Sequence, residues 1–232
     1  MKGLCDFTLA YGEYPRLRQF MQHACQTEGG TLQTFLLSRY LLDHHVPGAF
    51  VECGVAAGAQ LACMALAMTR ANDRRVIHAF DSFQGIPHAG PKDEDQPGKA
   101  AFLMERSAPL GQRLTSSGVT VCSLDGAMTL WKSWNFSEIT VEWHEGWFQH
   151  TVPGNSVGPV AFLRLDGDLY ESTDCCLRGF YDKVSPGGIV YVDDYGYAGC
   201  QKAVTEFLTE RALAPEFMQD AQGNAGAIYW IK

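Results

Sequence analysis

Two groups of aspartates in this sequence have the residue types and spacing for chemistry. One apolar run, Val160-Ala-Phe-Leu-Arg-Leu, ends at Asp166 and continues Gly167-Asp168-Leu-Tyr170. A second run, Gly188-Ile-Val-Tyr-Val, ends at the adjacent pair Asp193-Asp194. Carboxylates can hold a hard cation through oxygen or accept a proton. Both runs read as buried strands, bounded by Pro159 and by Pro186-Gly187-Gly188. A helical stretch separates them, so the unit is βαβ and the strands are expected to be parallel and adjacent. Their carboxyl ends then share one sheet edge, where open α/β sheets bind ligands. Three or four carboxylates there would repel, and a divalent cation is the simple remedy. Aspartates at strand ends also serve as plain turn and cap residues, the bland alternative here.

The other elements extend the same alternation. Ala49-Phe-Val-Glu-Cys53 reads as a buried strand, Gly54-Val-Ala-Ala-Gly58 as its turn, and the residues to about Thr69 as a helix. Val76-Ile-His-Ala-Phe80 is the next strand, ending at Asp81. Before them, residues 1–46 read as helical. Leu17, Phe20, Met21 and Ala24 recur at helical spacing, and a second helix is expected after Gly29-Gly30, to about His45. Residues from about 86 to 121, rich in proline, glycine and mixed charge, read as an insertion with a short helix near Ala100 to Arg106. Such insertions commonly act as lids. Ser123 is placed to cap a helix through Trp131, and Ile139 to Trp143 alternates as a strand leading to Glu145-Gly146-Trp147-Phe148. A helix from Cys200 to Ala212 and a strand from Ala225 to Ile231 complete a single doubly wound α/β domain over residues 1–232.

Composition narrows the partners. The 232-residue chain is long enough for one sizeable α/β core and short for two. A net charge of −8, with no lysine or arginine cluster, argues against a nucleic-acid surface or an anionic membrane. The N-terminal residues lack the apolar core of a signal peptide, and no run approaches membrane-spanning length. The eight cysteines form no C-x-x-C pair. They read as reduced thiols of a cytoplasmic protein.

The turn after the first strand carries a second chemical signal. Glycines let the main chain approach a ligand near a helix N-terminus. The spacing is G-x-x-x-G, so neither the dinucleotide fingerprint nor the phosphate-gripping loop is present. Asp81, ending the next strand, is placed to bind ribose hydroxyls, against a plain turn role in Asp81-Ser82-Phe83-Gln84-Gly85. A nucleoside without a pyrophosphate suits this pair, and S-adenosylmethionine is such a ligand.

Five blocks in order now resemble the macrocin O-methyltransferase family. They are Val51-Glu-Cys-Gly-Val55; Phe80-Asp-Ser-Phe-Gln-Gly-Ile-Pro87; Glu145-Gly-Trp-Phe148 with Thr151 and Pro153; Leu165 to Thr173; and Ser185 to Tyr195. The resemblance runs from about Ala24 to the end. It implies class I, S-adenosylmethionine-dependent enzymes that methylate sugar hydroxyls of natural products, on a Rossmann-like seven-stranded sheet whose last strand is antiparallel. It implies that Glu52, Cys53, Gly54, Val55 and Ala56 surround the methionine part of the cofactor. Asp81 would take the ribose, Ser82, Phe83, Gln84 and Gly85 would line that side, and Gly146 and Trp147 would lie along the adenine. Asp166, Asp193 and Asp194 correspond to the magnesium ligands, and Asp166 to the general base. The sequence departs from the family pattern at Ala24-Cys25, at Ala56-Ala57, at His150 and through the insertion, which is expected as a lid over the acceptor site.

Magnesium held by oxygen ligands can bind and orient a sugar hydroxyl and lower its pKa, leaving a carboxylate to take the proton. Asp166 is assigned both duties. Asp168 is read as structural, a cap for a helix opening at Ser172, with a role behind the metal ligands as the rival. His144 and His150 flank the adenine-side loop and read as surface or packing residues. A catechol-type phenol is the alternative acceptor, and a non-catalytic cofactor-binding protein the alternative function. Homo-oligomerisation is left open.

Overall fold

Strands covered on both faces are written as near-continuous apolar runs, and β1, β6 and residues 189–192 of β7 follow that rule, with Glu52 and Arg164 as buried charged exceptions. The computed structural model describes residues 7–25, 27–93, 114–219 and 226–232. The chain opens with α1 (Phe7–Met21) and α2 (Glu28–Asp43), followed by β1 (Ala49–Cys53), α3 (Ala59–Ala71) and β2 (Ile77–Asp81). A small antiparallel ribbon, β3 (Ile86–Pro87) with β4 (Ser116–Val119), interrupts the alternation. Then come α4 (Leu124–Ser133), β5 (Val141–Glu145), α5 (Phe148–Thr151), β6 (Val160–Leu165), α6 (Tyr170–Phe180), β7 (Val184–Val192) and α7 (Ala198–Glu210). Two short strands, β8 (Met218–Gln219) and β9 (Ile228–Ile231), close the sheet.

The seven strands lie in the order β5-β2-β1-β6-β7-β9-β8. The first five are mutually parallel, and β9 runs antiparallel to both β7 and β8. Alternate residues feed two cores. Phe50, Ala79, Phe162 and Ile189 pack with α1, α2, α3 and α4 on one face. Val51, Phe80, Leu163 and Val190 pack with α6 and α7 on the other. From β1 the chain winds outward to β2 and β5, then returns to β6 on the opposite side. The point of reversal therefore lies between β1 and β6, where a crevice opens beyond the strand ends. Among the described residues no helix is long and apolar enough to cross a membrane.

Three sequence expectations shift. α2 starts at Glu28 because the Thr27 side chain caps it, accepting from Gly30 N, so Gly29 and Gly30 sit inside its first turn. β5 begins two residues later than expected, since its pairing with β2 runs from Ile77–Val141 to Asp81–Glu145. The insertion closes on itself through β3 and β4, while the helix expected near Ala100 to Arg106 lies outside the described residues. Ser123 does cap α4, accepting from Gly126 N at 3.1 Å.

Gly54 shows how tightly β1 and β6 exit together. It has φ +97°, and a Cβ there would sit 1.7 Å from the Asp166 carbonyl oxygen. Gly154, with φ +72° and open space around it, carries the backbone cost alone. In denaturant unfolding, Gly54→Ala is expected to destabilise by clearly more than the ~1 kcal/mol typical of Ala at a positive φ. Gly154→Ala should stay near that figure. Equal losses would remove the steric role given to Gly54.

Candidate active site

The strand ends are stitched to one another by backbone hydrogen bonds. Gly54 N donates to Phe80 O, Asp166 N to Cys53 O and Asp193 N to Leu165 O, each at 2.8–2.9 Å. This stagger carries Asp166 and Asp193 just past their strands and into the crevice. Asp168 follows in a left-handed conformation, φ 59°, with its amide donating to Asp194 Oδ2 at 2.8 Å. One carboxylate oxygen from each of Asp166, Asp168 and Asp194 lies within 4.8 Å of the others.

Asp193 turns elsewhere. Its Oδ1 accepts from Arg164 Nη2 at 3.3 Å and from the Tyr191 hydroxyl at 3.1 Å. Arg164 is fully buried near the carboxyl end of β6, one residue before its last. Its Nη1 donates to Glu52 Oε1 at 2.9 Å and to Asp166 Oδ2 at 3.0 Å, and its Nε to Thr34 Oγ1 at 3.3 Å. Glu52, Arg164 and Tyr191 are in register across β1, β6 and β7, so they form one polar row on the α2 side of the sheet. Burial works against the Arg164 charge, but Asp166, Glu52 and Asp193 outweigh it and hold its pKa up. Burial pushes the Glu52 carboxyl up to about 8, with Arg164 opposing. Its Oε2 is buried without a hydrogen-bond partner.

The glycine turn and Asp81 are also locked together. Asp81 Oδ2 accepts from Val55 N at 2.7 Å and Ala56 N at 2.9 Å, and Oδ1 accepts from Phe83 N at 2.6 Å. Ala56 and Phe83 take positive φ, 46° and 52°, as Asp168 does. Non-glycine residues rarely adopt that conformation, and here two of them, Ala56 and Asp168, line one crevice.

The crevice is a cavity of about 360 Å³, within the range of small-molecule sites. Gly54, Ala56, Asp81, Ser82, Gly85 and Trp147 line it, and so do all four of Asp166, Asp168, Asp193 and Asp194. The other expected cofactor residues lie outside its lining. Glu52 is buried beneath it, Cys53 and Val55 are in the two cores, Phe83 packs 6.0 Å from Trp143, and Gln84 is exposed. Gly146 fastens β5 to β2 by donating to Asp81 O. Exposed His150 also lies off the cavity, while the His144 ring stacks on Phe80.

The sequence reading passed over several site residues. Cys25 and Thr27 reach the cavity from the α1–α2 junction, and Ile86, Pro87 and Thr120 from the ends of the insertion. Asp93 takes the cap that Asp168 was expected to provide: α6 begins at Tyr170, whose amide donates to Asp93 Oδ1 at 2.8 Å. Arg164 did leave a signal, as the lone charge in an apolar strand.

An oxygen-only donor set suits a hard divalent ion such as Mg²⁺. Its electrostatics also fit. Burial first, and then Asp166 and Asp193, push the Asp168 carboxyl up to about 8. Asp194 is raised by burial and then by Asp168, Asp166 and Asp193. Arg164 neutralises Asp166 and Asp193, and no ion pair is recorded for Asp168 or Asp194 among the described residues.

A parallel sheet with a cavity at its switch point, a glycine turn on one side and carboxylates on the other, defines the class I methyltransferase architecture. The chain belongs to the macrocin-O-methyltransferase (TylF) family, whose profile matches residues 36–232. It is similar to demethyldecarbamoylnovobiocin O-methyltransferase of Streptomyces niveus, at 35% identity over 82% of this chain and 68% of the relative. It is also similar to 8-demethyl-8-(2,3-dimethoxy-alpha-L-rhamnosyl)-tetracenomycin-C 4'-O-methyltransferase of Streptomyces olivaceus, at 32% identity over 72% of this chain but only 60% of that relative's length. The solved O-methyltransferase NovP superposes with a TM-score of 0.75 at 30% identity, covering 90% of this chain and 82% of NovP.

Raised carboxyl pKa values carry a definite sign. The folded chain keeps a proton on Asp168 that the unfolded chain releases near pH ~4, so this group costs stability as pH climbs from there towards about 8. Without added divalent ions, Asp168→Asn is expected to raise the thermal midpoint more at about pH 8 than at about pH 5. A gain independent of pH would remove the electrostatic account of the cluster.

Proposed function

We propose that this chain is an S-adenosylmethionine-dependent, magnesium-dependent O-methyltransferase acting on a sugar hydroxyl of a natural product. The observation that carries the reading is the single cavity that joins the Asp81-clamped glycine turn to four aspartates. The acceptor class is supported by family membership and by the rhamnosyl group for which the tetracenomycin relative is named. A cytoplasmic setting fits the free thiols of the described cysteines.

The methyl donor would lie along Gly54 to Ala56, its ribose against Asp81 and Ser82, and its base towards Trp147. Three loop amides leave the Asp81 carboxylate one of its roughly four lone-pair directions, enough for a ribose hydroxyl. Asp166, Asp168 and Asp194 would hold the magnesium, with Asp193 steadied against Arg164 behind them. When bound, the donor supplies an electrophilic methyl group and the metal supplies positive charge beside the acceptor oxygen. The chain's own work is alignment and proton removal. The crevice would hold the acceptor hydroxyl in line with the donor's methyl–sulfur bond, and Asp166 would take the hydroxyl proton as the methyl moves from sulfur to oxygen. Arg164 grips Asp166 through Oδ2, which fixes the plane of that carboxylate.

Asp166→Asn should lower methyl transfer to a rhamnosyl acceptor by roughly 10²–10⁴-fold while leaving donor affinity nearly unchanged in calorimetry. Wild-type rates in that variant would end the role of Asp166 as base. Chelation should silence the enzyme and magnesium should restore it, whereas turnover indifferent to chelator would overturn the metal assignment. Asp81→Ala should weaken donor binding by about tenfold or more, as loss of a charged hydrogen-bond acceptor requires. Unaltered affinity would sink the ribose role.

A further inference from the structure

Away from the cavity, the edge strand β5 and its neighbour β2 bring together two imidazoles and a carboxylate. His78 is in register with Glu142, and Phe80 with His144. Nδ1 of His78 lies 3.2 Å from Nε2 of His144 and 3.3 Å from Oε2 of Glu142. All three ligand atoms fall within 4.8 Å of one another. Donors about 2.0–2.1 Å from a tetrahedral zinc ion stand about 3.3–3.4 Å apart, which follows from the bond lengths alone. The two short separations at His78 meet that spacing.

Hydrogen bonding explains the group less well. A single Nδ1 proton on His78 cannot serve both an imidazole nitrogen and a carboxylate at full strength. The geometry is also held in advance. The His144 ring stacks on Phe80 at 4.0 Å and 6°, and Phe80 in turn packs edge-on to Phe180. His78 is buried, while the Glu142 side chain is 53% exposed, which leaves a side open to water. Burial disfavours the protonated form of both histidines and so favours the neutral ligand form. Lys183 is the cation whose field reaches His78, and Asn155 holds its amine through O and Oδ1 at 3.0 and 2.7 Å.

We propose that His78, His144 and Glu142 form a second metal site, for a borderline divalent cation of the zinc class, which pins the edge strand β5 to β2. Two nitrogen donors and one oxygen select zinc, copper or nickel over magnesium, so the site is chemically separate from the aspartate cluster. Its place in the sheet gives it a structural task. β2 runs directly into Asp81 and β5 into Gly146 and Trp147, so a metal clip there steadies two walls of the cavity from behind. The inference does not depend on the methyltransferase reading.

The test is a zinc titration of the full-length, chelator-stripped protein in excess magnesium, which occupies oxygen-only sites. One equivalent of Zn²⁺ is expected to bind both the wild type and Asp166→Asn, and to raise their thermal midpoints by mass action. His144→Ala and Glu142→Gln should each lose roughly tenfold or more in affinity, with circular dichroism unchanged. Glu142→Gln is near-isosteric at an exposed position, so its result does not depend on folding. Co²⁺ bound in place of zinc should give the intense visible bands of a tetrahedral site. The proposal is overturned if zinc does not bind, if both variants bind it as the wild type does, or if Asp166→Asn alone abolishes binding.

Discussion

The structure is organised around one buried guanidinium. Arg164 sits near the carboxyl end of the central strand β6 and directs its donors to Glu52, Asp166, Asp193 and Thr34, with its charge 5.4 Å from the Tyr191 ring. Burying a charge costs several kcal/mol before pairing, and removing one partner of such a pair typically costs ~3–5 kcal/mol. The network is therefore less a source of net stability than a demand for register. Glu52, Arg164 and Tyr191 face the same side only while β1, β6 and β7 keep their present alignment. A slip of one residue would turn each of them to the opposite face. The alignment that satisfies Arg164 is the one that brings Asp166 and Asp193 side by side at the strand ends.

The rest of the site is arranged around that row. Gly54 has no side chain because β1 leaves the sheet against the backbone of Asp166. Asp81 then folds the glycine turn back onto β2 by taking the amides of Val55, Ala56 and Phe83. On the other side, Asp93 bridges Gly90 N and Tyr170 N, which ties the entry of the insertion to the start of α6, two residues after Asp168. Gly199 is required there, since a Cβ would fall 1.9 Å from Asp93 Oδ1. Lys92 covers the same junction, its amine 3.8 Å from the centre of the Tyr170 ring. The Asp168 side of the cavity is thus framed by residues far apart in sequence.

What the sequence made legible was whatever repeats locally. Apolar runs ending in aspartate marked β6 and β7, the glycine turn marked the exit of β1, and strand–helix alternation marked the doubly wound sheet. What it concealed depends on contacts across the fold. Arg164 and Glu52 are 112 residues apart, and a single charge inside an apolar strand has no period to betray its partner. Asp93 replaces Asp168 as the cap of α6 because residues 90–93 lie against the start of that helix, which no local pattern encodes. Thr27 gives no sign of its role because a glycine pair reads as a break, whereas a capping hydroxyl before it lets both glycines join α2.

The division of labour among the four aspartates follows from the reach of that one guanidinium. Arg164 touches Asp166 and Asp193 and stops there. Asp193 is further held by Tyr191, so it is turned away from the cluster formed by Asp166, Asp168 and Asp194. Asp168 and Asp194 are close and half-buried, and the Asp168 amide donates to Asp194 Oδ2. Their repulsion is relieved by a proton or by an added cation. Asp166 alone belongs to both groups. One of its oxygens is fixed by Arg164, its side chain is 25% exposed, and it lies on the cavity wall. In the proposed reaction a base must be oriented, reachable by the acceptor and close to the cation. Among these four carboxylates, the position of Arg164 leaves Asp166 as the one that meets all three conditions.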